Sequence, residues 1–150
     1  MSGTNNKIHF HFLAPVHILK NRADLKTFLV KLIKKEGKRI QDINFIFCSD
    51  SYLLEINKEH LKHDYYTDII TFQLSTANEP LIADIYISVE RVKDNASNYK
   101  TTFTKELHRV IFHGLLHLCG YKDKTKQENA TMRCKEEYYL KLYFVPRETR

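Results

Sequence analysis

Apolar residues along the chain fall into two periods, and the switches between them mark out nine elements. Ile8, Phe10 and Phe12 alternate with His9 and His11, the pattern of a half-buried strand. Asn21 is placed to cap a helix in which Leu25, Phe28, Leu29, Leu32 and Ile33 recur at helical spacing until Gly37. The run Ile43-Asn44-Phe45-Ile46-Phe47 reads as a second strand. Ser49 or Asp50 then caps a short helix carrying Leu53, Leu54 and Ile56 and ending near Leu61. Thr67–Leu74 and Leu81–Ser88 are β-rich runs separated by the turn-like STANEP. Ser88 is suited to cap a helix with Val89, Val92, Ala96 and Tyr99. Thr104 opens another, which runs through Cys119 and stops at Gly120. Thr125-Lys126-Gln127-Glu128 has capping-box spacing and begins the last helix. The order β, α, β, α, β, β, α, α, α predicts a mixed α+β or α/β domain: about four strands in a small mixed sheet, packed with about five helices.

Composition adds boundaries. The 150 residues contain only three prolines and four glycines, with no linker-like stretch and no repeat. We therefore expect a single domain over 1–150, its core running from about Lys7 to about Tyr143. Hydrophobic residues are 43% and charged residues 28%, which excludes a disordered chain. The stretches without Lys, Arg, Asp or Glu, such as Ile8–Leu19 and Val110–Tyr121, fall short of the ~20 residues of a membrane span. The opening MSGTNNKIHFHF has no apolar signal-peptide core, so a cytoplasmic location without membrane association is expected. Cys48, Cys119 and Cys134 are odd in number and lack CxxC spacing; they read as buried thiols of a reducing compartment. The net charge of +6 suits a polyanionic partner such as RNA, or serves solubility alone.

The chemistry concentrates in His113-Gly114-Leu115-Leu116-His117-Leu118-Cys119-Gly120-Tyr121-Lys122-Asp123. His113 and His117 stand at i and i+4 on a helix, which puts two imidazoles on one face. Gly120 ends the helix and lets the chain turn back, and Asp123 brings a carboxylate. Two imidazoles and one carboxylate suit Zn²⁺ with a fourth position left for water, as in a catalytic site. The plainer alternative is a chance pair of helix histidines in a chain with eight of them. A zincin-like protease is not favoured, because Gly114 stands where H-E-x-x-H carries its base.

This segment resembles the signature of the YbeY family, written H-G-x-L-H-L-x-G-Y-D-H. His113, Gly114, Leu116, His117, Leu118, Gly120 and Tyr121 match in register. Asn57 to Phe72 resembles the family's N-x-x-x-R-x-K-D-x-P-T-D-V-L-S-F, with Asn57, Asp64, Thr67, Asp68 and Phe72 matching. Ala83–Ser88 resembles its G-D-I-x-I-S strand. Three departures stand out. Asp123 occupies the place of the family's third histidine ligand, and Lys122 that of the preceding aspartate. Leu61 replaces an arginine of the active cleft, and Tyr66 replaces a proline. An acid at 123 shifts the donor set towards harder cations, and Leu61 cannot clamp a phosphate as a guanidinium does.

The resemblance implies an α+β fold with a zinc-hydrolase-like histidine helix beneath a cleft. It implies a single-strand-specific, metal-dependent endoribonuclease acting in 16S ribosomal RNA 3′-end maturation and ribosome quality control. One Zn²⁺ on His113, His117 and Asp123 would then activate water for phosphodiester hydrolysis. Partners would be ribosomal RNA, the small ribosomal subunit and single-stranded RNA. No general base stands out, and His60 and His63 are possible helpers near the cleft or the replaced arginine, with Lys62. A second reading is a non-catalytic assembly factor that binds RNA or a ribosomal protein and carries a structural metal; Leu61 favours it. A third is a metal hydrolase with another substrate.

Other polar residues have simpler readings. His9 and His11 lie on the polar side of their strand, and His108 is a partly buried helix residue. Asp64, Thr67 and Asp68 tighten a turn, with Asp68 alternatively orienting a ligand histidine. The basic residues around the first helix, including Lys26, Lys34 and Lys35, form a solvated face or a phosphate-tracking patch. Tyr138, Tyr139 and Tyr143 belong to the core and its rim.

Overall fold

The computed structural model describes residues 7–16 and 19–148, with side chains through 145. Residues 1–6 of the opening stretch read for a leader lie outside the described residues. The elements are β1 (Ile8–Phe12), α1 (Arg22–Lys35), β2 (Ile40–Cys48), α2 (Asp50–Leu61), β3 (Ile69–Gln73), β4 (Leu81–Ser88), α3 (Val89–Asn98), α4 (Phe103–Leu118) and α5 (Lys126–Glu148). Their order is the one the periodicity predicts. The sheet runs β1-β2-β4-β3. β1, β2 and β4 are parallel, with Phe10 beside Phe45 and Phe45 beside Ile85. β3 is antiparallel to β4 and forms one edge.

Alternation along the strands sends side chains to two unequal cores. Ile43, Phe45 and Phe47 of β2 and Ala83, Ile85 and Ile87 of β4 join the main core, with residues of α1, α4 and α5. The other face holds a small cluster of Cys48, Leu53 and Ile70, with Ile56, Phe72 and Tyr86 packed against it. α4 is the most enclosed of the helices: Leu107, Val110, Ile111, Phe112, Leu115 and Leu116 are all buried. Gly114 explains how closely it lies on the sheet. A Cβ there would stand 3.0 Å from Ile69 Cδ1 and 3.2 Å from Ile85 Cγ2.

Local chemistry sets the boundaries, and some differ from expectation. Ser49 accepts from Tyr52 N and Ser88 from Arg91 N, as N-caps. Thr125 and Glu128 form the reciprocal capping box, Glu128 N to Thr125 Oγ1 at 3.1 Å and Thr125 N to Glu128 Oε1 at 2.9 Å. Asn21 precedes α1 but makes no side-chain cap; its backbone is left-handed (φ 53°). Thr102, not Thr104, caps α4, and the helix ends at Leu118 rather than Cys119. β2 extends beyond 43–47 at both ends, and β3 is shorter than the β-rich run, leaving out Thr67, Asp68 and Leu74. Only Cys48 is a buried thiol: Cys119 is intermediate and Cys134 exposed, because it lies on the outer side of α5.

One polar knot ties three elements together. Glu36, just beyond α1, accepts from Tyr121 OH (2.8 Å), Lys135 Nζ (3.2 Å) and Tyr139 OH. Burial opposes its charge, but Tyr139, Tyr121 and Lys135 outweigh this and hold the carboxyl below its ordinary range. Among the described residues no helix is long and apolar enough to cross a membrane.

Candidate functional site

α4 carries Arg109, His113 and His117 four residues apart, so all three fall on one face. That face meets the β3 edge, with Thr67, Asp68, Ile69 and Thr71 opposite. Asp123 enters from the turn after Gly120, whose φ of +108° a side chain would resist. These residues line a cleft of about 360 Å³. The structure thus brings His113, His117 and Asp123 together.

Each histidine has one nitrogen committed. His117 Nδ1 lies 3.1 Å from the Tyr121 carbonyl, which only accepts, so Nδ1 carries the proton and Nε2 the lone pair. His113 Nδ1 lies 2.6 Å from Glu136 Oε2, and its Nε2 lies 3.2 Å from Asp123 Oδ2. With Nδ1–H given to Glu136, the Nε2 lone pair faces a carboxylate. Two acceptors that close require a positive charge between them, a ring proton or a cation.

Beneath His113 runs a network that the sequence reading missed. Arg109 grips Glu106 through two hydrogen bonds (2.9 and 2.7 Å) and Glu136 through a third (3.0 Å). Its Nη2 stands 3.9 Å from Asp68. Glu106 and Glu136 are each 2% exposed. Burial raises the cost of the Glu136 charge, yet His113 and Arg109 prevail and hold its carboxyl below the ordinary range. Burial also works against the Arg109 charge, and Glu106 and Glu136 outweigh it, so the pKa rises. For Asp68 burial wins over Arg109 and His113, and the pKa is raised. Asp68, Glu106, Asp123 and Glu136 set four carboxylates against two guanidiniums, Arg109 and, 3.6 Å from Glu136, Arg133, an excess of negative charge that suits a cation.

The donor chemistry therefore fits a divalent metal with Nε2 of both histidines and Asp123. The side-chain positions are not drawn in around a common point: among the described residues no three His, Cys, Asp or Glu groups converge closely enough to hold an ion, and His113 and Asp123 touch each other.

Other predicted residues lie elsewhere. His63 Nδ1 meets Tyr65 OH (2.9 Å) and His60 packs against Phe72; neither lines this cleft. Leu61 is 40% exposed and also lies outside it. Lys62 is the left-handed residue that ends α2. The positive group in the cleft is Arg109, from α4. His9 pairs with Asp42 and His11 with Asn44. His108 is buried against Tyr143 and Phe144. Of the basic residues around α1, Arg22 and Lys26 lie over Phe12 and Phe10, and none lines the cleft.

The chain matches known proteins over most of its length. A profile described as endoribonuclease YbeY matches residues 15–143. A relative named endoribonuclease YbeY from Cytophaga hutchinsonii is 53% identical over 124 residues, 83% of this chain and 87% of that protein. One of the same name from Christiangramia forsetii is 50% identical over 128 residues, 85% of this chain and 89% of that one. The solution structure of a Thermotoga maritima protein superposes with a TM-score of 0.64 at 28% identity, over 93% and 92% of the two chains. With its histidine helix, its α+β sheet and these relatives, the chain belongs to the endoribonuclease YbeY family.

Proposed function

We propose that the cleft between α4 and β3 is the active site of an endoribonuclease, and that His113, His117 and Asp123 hold one Zn²⁺ per chain. The observation that carries this reading is the double commitment of Nδ1, to Glu136 and to the Tyr121 carbonyl, which leaves Nε2 of both rings as the donor beside Asp123. An ion held by these residues would supply Lewis acidity for phosphodiester hydrolysis. The chain's own groups orient. Glu136 fixes the tautomer and rotation of His113, as carboxylate partners of metal-binding histidines do. Arg109 holds Glu136 in place and offsets the buried carboxylates. The name shared by the relatives supports a hydrolase acting on RNA. The substrate we infer is single-stranded ribosomal RNA of the small subunit, at the 16S 3′ end, in the cytoplasm. A non-catalytic assembly factor rests on Leu61 alone, and the relatives' name does not favour it.

The test is metal content and cleavage in parallel. Wild type purified without added metal should carry one zinc by elemental mass spectrometry and cut a defined single-stranded RNA. His117→Ala should lose both, with activity down at least ~100-fold, the upper range for loss of a group that supports a metal site. Zinc content and cleavage that are both unchanged in His117→Ala would overturn the reading.

A further inference from the structure

A second, larger cleft of about 540 Å³ opens on the far side of Arg109, between the start of α4, the end of α3 and α5. Arg109 lines both clefts, so they adjoin at that side chain. The wall of the second is basic and aromatic. Lys105, Arg133 and Lys141 stand around it, against Glu137 and a Glu106 already gripped by Arg109. Arg133 approaches Glu136 at 3.6 Å, while neither lysine has an ion-pair partner among the described residues. Tyr99 is 61% exposed at its rim, and Phe144 is half-buried in its wall. Cations spaced around an open aromatic surface match a strand that presents phosphates and unpaired base faces together. The α4–β3 cleft, by contrast, sets Asp68 and Asp123 against Arg109 alone.

We propose that this second cleft is a nucleotide-binding subsite that holds the RNA strand on one side of the scissile phosphate. Lys105, Arg133 and Lys141 take phosphates, and Tyr99 takes a base. The inference rests on the nuclease reading above, and it explains how an acidic catalytic cleft retains a polyanion. The α1 lysines do not line either cleft and are not needed for it.

The test uses the full, zinc-loaded chain and two substrates: a single-stranded RNA of about 12 nucleotides, within the usual range of site sizes, and a minimal dinucleotide. Lys105→Glu/Lys141→Glu is compared with Lys31→Glu/Lys34→Glu, which changes net charge equally on exposed positions of α1. The first pair should raise KM for the long RNA by about tenfold or more at unchanged kcat and leave the dinucleotide unaffected. Its salt slope for binding, read by fluorescence anisotropy, should fall by about 1.4, two phosphate contacts on a single strand. Tyr99→Ala should weaken long-RNA binding by about tenfold, the loss of one stacked base. Circular dichroism melts check folding. Equal losses in the two lysine pairs, or no loss in the first, would overturn the subsite and leave the nuclease reading standing. A wild type that binds the long RNA through Lys105 and Lys141 but cuts neither substrate would overturn the nuclease reading and keep the subsite.

Discussion

Two sides of the cleft that holds His113 are built on opposite terms. On the α4 side His113 is braced by Glu136, which is braced by Arg109, which is braced by Glu106. Both carboxylates are 2% exposed. On the turn side Asp123 is 41% exposed, and His117 leans on a backbone carbonyl beside it. The difference teaches where geometry is fixed and where it adjusts. Charges buried in a connected network hold one arrangement, because any other leaves a charge without a partner. A carboxylate on an exposed turn moves at little cost, so Asp123 can adjust while His113 stays fixed.

Breaking the buried wall should have the largest effect. Glu136→Ala leaves Arg109 and His113 short of a partner and should cost about 3–5 kcal/mol, read as a lower urea midpoint. Glu136→Gln keeps the volume and should cost less stability while weakening zinc binding about 10–100-fold. Unchanged stability in Glu136→Ala would mean the two walls do not differ.

Next comes the close approach that joins the α4 wall to β3. Gly114→Val should cost about 2–3 kcal/mol, because Ile69 and Ile85 must move. Gly114→Ala should fall within about 1 kcal/mol of wild type, since the helix-propensity gain of about 1 kcal/mol opposes the crowding. A neutral Gly114→Val would show that the contact is loose.

Tyr139→Phe removes one hydrogen bond to Glu36 and should cost about 1 kcal/mol. Because the Glu36 pKa is lowered by folding, the unfolded chain binds the proton more readily. Stability from this group is present above the ordinary value of 4.5 and is lost as pH falls through the lower folded value. Urea midpoints from pH 7 to pH 3 should therefore fall, and fall less steeply in Tyr139→Phe. Parallel curves would show that Tyr139 does not hold the charge.

The exposed wall should give the smallest stability change. Asp123→Ala and Asp123→His should each stay within about 0.5 kcal/mol of wild type. Zinc content should fall in the first and persist in the second. Loss of zinc in Asp123→His would mean the turn is shaped for a carboxylate.

What the sequence made legible follows from range. The capping box at Thr125 and the face shared by His113 and His117 are local patterns, and periodicity alone places them. The brace is not local: Glu136 reaches His113 across 23 residues and Arg109 across 27. A signal existed in α5, where Met132, Glu136, Tyr139 and Tyr143 form one buried stripe. A glutamate in an apolar helix stripe marks a buried charge with a distant partner. The Asn21 cap failed for a different reason, since its left-handed backbone turns the side chain away from the helix end.

The late position of Glu136 in the chain also orders events in time. Synthesis proceeds from the N-terminus, so His113 emerges while its brace is still unmade. β1, β2 and β4 meet through parallel pairings of distant segments, which close slowly. Until α5 docks, the histidine helix lacks the carboxylate that sets its first ring. In a chain still being translated, the α4–β3 cleft is thus unfinished until its last helix has emerged.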